Sequence, residues 1–438
     1  MKRDSDKRII RGLFSCLCRC GGKIMKMNVK QPVVWISAMV AGLLLGLVNC
    51  NWLTDFFNFT ASAYTRMFQF VAIPTIALAV LTTLANLGEQ KGMGRIFART
   101  IFYTLTTTFA ATMVGLGLYL AIRPGNVAID ISNFGEHAAT LSDLTASAKN
   151  YGVYQHILNI IPNNIVAPLS SGNVLSILLI AATMGLALAV MPKSEEKKIL
   201  IGAINGLQAL FFTVIRALVK ILPAGIVAFS AQLAVQLAHG EAAGSLGKYL
   251  FVVLAGNAIQ FFVVLPLFLL SKGINPVRNF MQMSPAVMMA LFTKSSAATL
   301  PVTINSALQN MKARKEVANF VLPMCCTINM NGCAAFIYVT SMFVMELSGV
   351  HLDISAMLVW SLIAVVSAVG NAGVPMGCFF LTLSLMSGQN VGPALGIMGV
   401  ILPFYAIIDM IETAENVWSD TCVCAMVNKD TAEKMLRS

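Results

Sequence analysis

Charge is what this chain has least of. Only 11% of its 438 residues are Asp, Glu, Lys or Arg, 57% are hydrophobic, and the mean hydropathy is +0.77. A soluble domain carries about 25% charged residues, so a soluble globular fold is excluded and a polytopic helical membrane protein is expected. Histidine is nearly as scarce. His137, His156, His239 and His351 fall in expected loops or at helix ends, form no metal-ligand cluster, and complete no hydrolase triad. The ten cysteines include no Cys-x-x-Cys pair. Cys16, Cys18 and Cys20 crowd the N-terminal tail, where metal binding or acylation competes with no role at all, and the others lie in or beside apolar segments. No disulfide framework is visible. The net charge of +11 does not point to nucleic acid, because most Lys and Arg stand in short segments between apolar runs, as orientation signals do.

What is present is apolar sequence in membrane-length windows. Windows of about 20 residues place spans near 33–50, 66–88, 98–122, 173–192, 203–235, 247–271, 315–347 and 393–427. They divide the chain into a basic tail (1–31), six spans (32–272), a C-terminal core (273–427) and a second tail (428–438). The tail Lys and Arg precede the first span, while the loop at 123–165 holds Asp130, Glu136 and Asp143. Both termini are therefore expected in the cytoplasm. The first apolar run starts late and lacks a convincing cleavage site, so it reads as an uncleaved span rather than a signal peptide.

Two segments do not fit the count. Pro276–Leu308 is interrupted by Lys294-Ser295-Ser296-Ala297-Ala298-Thr299-Leu300-Pro301, and Ile354–Met386 by Gly370-Asn371-Ala372-Gly373-Val374-Pro375-Met376-Gly377. Their halves are mostly too short to cross alone, so each reads as a re-entrant helical hairpin with an irregular tip; two kinked spanning helices are the alternative. Each is followed by an apolar helix with a polar cluster, which makes an architectural repeat of the kind that holds solutes at the midplane.

The richest cluster is Tyr405 to Asp420. From Asp409, the residues Glu412, Thr413, Asn416 and Asp420 follow at offsets of three, four, seven and eleven, the spacing of one helix face. A carboxylate at mid-bilayer costs about 2.5 to 3.5 kcal/mol, so this face must look onto donors, water or cations. A catalytic pair of Asp409 and Asp420 is excluded by distance, since eleven residues of helix separate them by roughly 16 Å.

The four ordered motifs, Thr293 to Pro301, Asn329-Met330-Asn331-Gly332, Ala372-Gly373-Val374-Pro375 and Asp409 to Asp420, resemble the dicarboxylate/amino acid:cation symporters, which include the glutamate transporters. The resemblance covers about residues 32–427. It implies eight transmembrane helices plus two re-entrant hairpins and a homotrimer. Spans one, two, four and five would form a scaffold against which the other spans and the hairpins move as an elevator. It implies Asp409 for a substrate ammonium and Asn416 and the Ser295-Ser296 tip for its carboxylate, with Ala297, Val374, Gly377, Glu412 and Thr413 completing the pocket. Sodium would be coupled to substrate. One sodium site would use Asp420 with carbonyls near Asn329 and Asn416; a second Thr327, Met330 and carbonyls around Ala368, Val369 and Asn371; a third Asn329, Tyr103, Thr106, Thr107 and Asn331. The family has an Asp where Asn331 stands, so the third site is expected to be weaker or absent.

The largest departure concerns the substrate. Glutamate and aspartate carriers have an Arg four residues before the Asn, and this chain has Glu412. A Glu there repels an acidic side chain. It looks like the bacterial sodium/serine-threonine symporters, whose resemblance implies small hydroxylated amino acids and a bacterial inner membrane. Acidic amino acids or dicarboxylates, cationic amino acids, and a Glu412 that only pairs with Lys294 are the alternatives. A channel is disfavoured by broken helices around a zwitterion-shaped pocket. Proton coupling is not implied, because apolar Ile337 replaces an ionisable or amide residue of some members.

Overall fold

The computed structural model describes residues 30–435 except 49, 88–93, 126–160, 172–173, 239–241, 351, 370, 372, 374–375 and 389–393. The four histidines, the cysteines of the N-terminal tail and Val374 lie outside the described residues. Helices account for nearly all of what is described: α1 Lys30–Gly46, α2 Asn51–Leu87, α3 Gly94–Ile122, the short α4 Val166–Ser171, α5 Val174–Val190, α6 Glu195–Ala238, and α7 Ala242–Ile259. A π turn, Gln260–Val264, joins α7 to α8 Leu265–Ser271. There follow α9 Pro276–Thr293, α10 Ser296–Gln309, α11 Lys315–Ile328, α12 Asn331–Leu347, α13 Ile354–Val369, α14 Gly377–Gly388 and α15 Ala394–Met435.

Five stretches among the described residues are long and apolar enough to cross a membrane: Arg95–Ile122, Glu195–Leu218, Gly244–Ser271, Lys315–Leu347 and Ile397–Ala432. The first, second and fourth expected spans contain shorter apolar helices, Ser37–Gly46, Ile73–Thr82 and Ser176–Val190. The structure adds to the expected elements in two informative places. The segment 315–347 is not one helix, because Asn329 and Met330 leave helical geometry (φ −101° and −109°, both with positive ψ) and separate α11 from α12. The supposed tail from 428 is helical to Met435, held where Asp430 meets Arg99 at 3.0 Å, Lys272 at 3.2 Å and the Tyr103 hydroxyl at 2.5 Å.

Local chemistry explains the break between α9 and α10. Asn275 caps α9 through Arg278 N (3.0 Å), and Pro276 opens it. Lys294 then takes a left-handed conformation (φ 54°), and Ser295 caps α10 through Ala298 N (3.2 Å). Two residues thus turn one helix into the next, and the two helices pack on each other.

Helices α1 and α2 both pack on α6, and α2 also packs on α5. The α1–α6 contact depends on Gly42 and Gly46, a small-xxx-small pair. A Cβ at Gly46 would lie 2.7 Å from Ala231 Cα and 2.8 Å from Ala234 Cβ, so the backbones meet only because no side chain intervenes. Gly46→Val is expected to cost about 1 to 3 kcal/mol. It should lower the thermal midpoint of the purified protein in detergent, and an unchanged midpoint would show that α1 adapts.

The remaining helices gather around α12 and α15. α12 packs on α3 and α15, and α9 and α11 pack on α15. Two apolar clusters fill the interior. One contains Met330, Cys333, Tyr405 and Ile408, and the other Ile328, Ala414, Val417 and Trp418. The seam between them falls at the α11–α12 break and at the middle of α15, where the polar residues gather.

Candidate functional site

Helix α15 buries the whole expected face: Asp409, Glu412, Thr413, Asn416 and Asp420 are each under 10% exposed. Asp409 Oδ2 accepts from Met376 N (3.1 Å), the residue before α14, so the carboxylate sits at the positive end of that helix. Met376 reaches this position with φ 64°. The Tyr405 hydroxyl donates to Glu412 Oε2 (3.0 Å) and lies 3.5 Å from Asp409 Oδ1. Thr413 Oγ1 donates to the Asp409 carbonyl (2.7 Å). Asn416 Oδ1 accepts from Gly332 N (2.9 Å) at the start of α12, which fixes the direction of its amide.

The two irregular tips meet here. Ser295 Oγ donates to the Gly373 carbonyl (2.8 Å). Gly373 has φ +62°, and a Cβ on it would stand 3.2 Å from the Cys326 carbonyl and 3.6 Å from Ala297 N, so it brings one tip against the other. Ser296 is buried, Ala297 is exposed, and Gly377 opens α14.

Lys294 and Glu412 do not form the ion pair that the sequence allows. The Lys294 ammonium donates to the Ala406 carbonyl, one turn before Asp409. Among the described residues Glu412 accepts only from Tyr405, and its Oε1 is buried without a hydrogen-bond partner. The absence of a disulfide is a second expectation that the structure corrects. Cys333 on α12 and Cys378 on α14 are bonded, with a Cα–Cα distance of 5.6 Å. They are 45 residues apart in sequence, and only packing brings them together.

A second polar group lies deeper along α15. Asn329 Nδ2 donates to Asp420 Oδ1 (2.9 Å) and Ser419 Oγ (2.9 Å), and Asn331 Nδ2 donates to Ser419 Oγ (2.8 Å). Thr108 Oγ1 donates to Asn331 Oδ1 (2.8 Å), and Thr107 Oγ1 is 3.3 Å from Asn329 Oδ1. Thr106 turns away and donates to the Phe102 carbonyl (2.5 Å), and Tyr103 sends its hydroxyl to Asp430. Thr108 therefore stands where Thr106 was expected; it is one residue past Thr107, on the buried face of α3. Ser419, Thr108 and Gln260, whose amide donates to the Thr107 carbonyl (3.1 Å), were not singled out from sequence. Neither was Glu415, buried beside Asn416 with no hydrogen bond to either carboxylate oxygen among the described residues.

Around the break, Asn371 Nδ2 points at Cys333 and Cys378 Sγ (both 3.0 Å) and is 4.0 Å from Met330 Sδ. The Asn371 backbone N donates to the Ala368 carbonyl (3.0 Å), Asn371 Oδ1 is buried without a partner among the described residues, and Val369 is half-buried beside it. Thr327 Oγ1 bonds to the Met324 carbonyl (2.9 Å).

The donor set suits a hard cation. Asp420 is 3% exposed, its one hydrogen-bond donor is a neutral amide, and no Lys or Arg among the described residues pairs with it. A buried carboxylate without a cationic partner is an oxygen ligand of the kind such an ion takes. Comparison with known proteins gives this arrangement its context. Residues 33–430 match the model of the Sodium:dicarboxylate symporter family. The chain belongs to that family. Its relatives include excitatory amino acid transporter 3 of Oryctolagus cuniculus, 27% identical over 94% of this chain and 87% of that protein. The proton/glutamate-aspartate symporter of Escherichia coli (strain K12) is 25% identical over 92% and 93%. The C4-dicarboxylate transport protein of Rhizobium leguminosarum is 25% identical over 84% and 81%. The symporter is thus a multi-pass membrane transporter and not an enzyme. Its family membership implies a small-solute site and coupled ions.

Proposed function

We propose that this symporter carries small neutral amino acids, serine and threonine foremost, into the cell together with sodium. The observation that carries this reading is the free, buried Oε1 of Glu412 beside Asp409. A pocket that offers an unpartnered acceptor rewards a hydroxyl donor and rejects a side-chain carboxylate. The substrate ammonium would bind Asp409. Its carboxylate would lie between Asn416 and the N-terminal end of α10 at Ser295 and Ser296, where unpaired N–H groups favour an anion.

Asp420 with Asn329 forms one sodium site in this reading, and the Thr327, Met330 and Ala368–Asn371 region a second. At the third expected site Asn331 already has both halves of its amide satisfied by Thr108 and Ser419, which supports fewer than three ions. The α9–α10 and α13–α14 pairs act as re-entrant hairpins, and the mass around α15 moves as an elevator against α1, α2, α5 and α6 in a homotrimer. The bacterial inner membrane with cytoplasmic termini is the setting.

Acidic substrates keep one observation in their favour, the buried Lys294 at the tip. Uptake into liposomes decides between the readings, comparing serine, threonine, alanine, aspartate and lysine with and without a sodium gradient. Sodium-driven serine and threonine uptake is expected, falling about tenfold in Glu412→Gln, the value of one hydrogen bond to a charged group. Uptake of aspartate or lysine in their place would overturn the substrate assignment.

A further inference from the structure

We infer that Cys333, Cys378 and Glu412, once the disulfide is reduced, form a binding site for zinc or a similar thiophilic divalent cation. Both sulfurs and a Glu412 carboxylate oxygen lie within 4.8 Å of one another, and all three residues are buried. One Glu412 oxygen, Oε1, has no hydrogen-bond partner among the described residues, so the carboxylate has a lone pair to give. Two thiolates and a carboxylate are three of the four tetrahedral ligands that zinc takes, leaving one place for water or a bound solute.

The surroundings suit thiolates. Asn371 Nδ2 is 3.0 Å from each sulfur, and Asn416 Nδ2 is 3.2 Å from Cys333 Sγ. A disulfide sulfur accepts hydrogen bonds weakly, whereas amide donors aimed at a thiolate stabilise its charge and orient the ligand. Two sulfurs on one tetrahedral zinc stand about 3.8 Å apart at Zn–S distances of about 2.3 Å. Side-chain rotation alone allows that separation from Cα atoms 5.6 Å apart.

The chemistry balances with an external reductant. A phosphine and one water convert the disulfide to two thiols and become a phosphine oxide; the cation then displaces the two thiol protons, which leave to solvent. The site therefore exists in the reduced protein and is absent from the cross-linked one. Its consequence, a block of uptake while metal is held, rests on the pocket reading above; the binding does not.

The test uses the full chain in lipid nanodiscs, with Cys16, Cys18 and Cys20 changed to Ser so that the tail does not compete, and cadmium as the probe. After phosphine treatment and its removal without air, one cadmium per chain should bind with a thiolate-to-cadmium ultraviolet band. The unreduced protein should show no band. Cys333→Ser and Cys378→Ser should each weaken binding at least 100-fold, and Glu412→Gln about tenfold with the band retained. A band unchanged in the Cys333→Ser/Cys378→Ser double variant, or no cadmium bound by the reduced protein, would overturn the assignment. Because no transported solute enters the measurement, its failure leaves the serine reading standing, and the failure of that reading leaves this one.

Discussion

Asp409→Asn is expected to abolish amino-acid uptake while the protein remains folded. In the proposed pocket Asp409 faces the substrate ammonium, and truncating one partner of a buried charge pair costs about 3 to 4 kcal/mol. That is roughly 100- to 1,000-fold in affinity. The fold should survive, because the Asn side-chain oxygen can still accept from Met376 N, the bond that joins α15 to the start of α14. The measurement is binding of labelled serine to purified protein, with size-exclusion profile and thermal midpoint as controls. The same variant separates substrate classes. A dicarboxylate has no ammonium, so a protein built for dicarboxylates would lose little affinity when Asp409 is neutralised. Near wild-type serine binding by a monodisperse Asp409→Asn protein would therefore overturn Asp409 as the partner of the ammonium.

The α15 face was legible in sequence because helical periodicity and the cost of burying carboxylates act within a single segment. Five polar residues at offsets of zero, three, four, seven and eleven have one geometric meaning, and all five are buried together. The two broken pairs were legible for a similar reason, since Lys294-Ser295 and the Gly370–Gly377 stretch interrupt apolar runs with residues that cap and turn. The break at Asn329 and Met330 was harder. Neither residue is Gly or Pro, and Asn329 and Asn331 read from sequence as a polar cluster on one apolar helix. What ends α11 is the pull of partners far along the chain, Asp420, Ser419 and Thr107, on the Asn329 side chain. The same holds for Thr108 against Thr106: both are threonines on one helix, and only the position of Asn331 tells which one faces inward. The Cys333–Cys378 bond depends on packing, about which periodicity carries no information. The seven-residue offset puts Tyr405 and Glu412 on one face, but their contact also needs the right rotamers.

Asp420→Asn should uncouple the symporter from sodium. Asp420 is buried, and in this reading its charge is compensated by the bound ion. Losing the carboxylate charge removes the main electrostatic reason for a cation to enter, while the Asn oxygen preserves the 2.9 Å bond from Asn329 Nδ2. An ion held by one buried carboxylate loses about 3 kcal/mol or more on neutralisation, a shift of at least roughly 100-fold in the sodium concentration for half-maximal uptake. The measurement is serine uptake against external sodium at fixed membrane potential. The wild type should saturate, and the variant should stay near its sodium-free rate across the accessible range. Asn331→Ala, on α12 and within the neutral network of Ser419 and Thr108, serves as the contrast, because it removes hydrogen bonds without removing charge. A wild-type sodium curve in Asp420→Asn would place the coupling ion elsewhere and leave the buried carboxylate without a role.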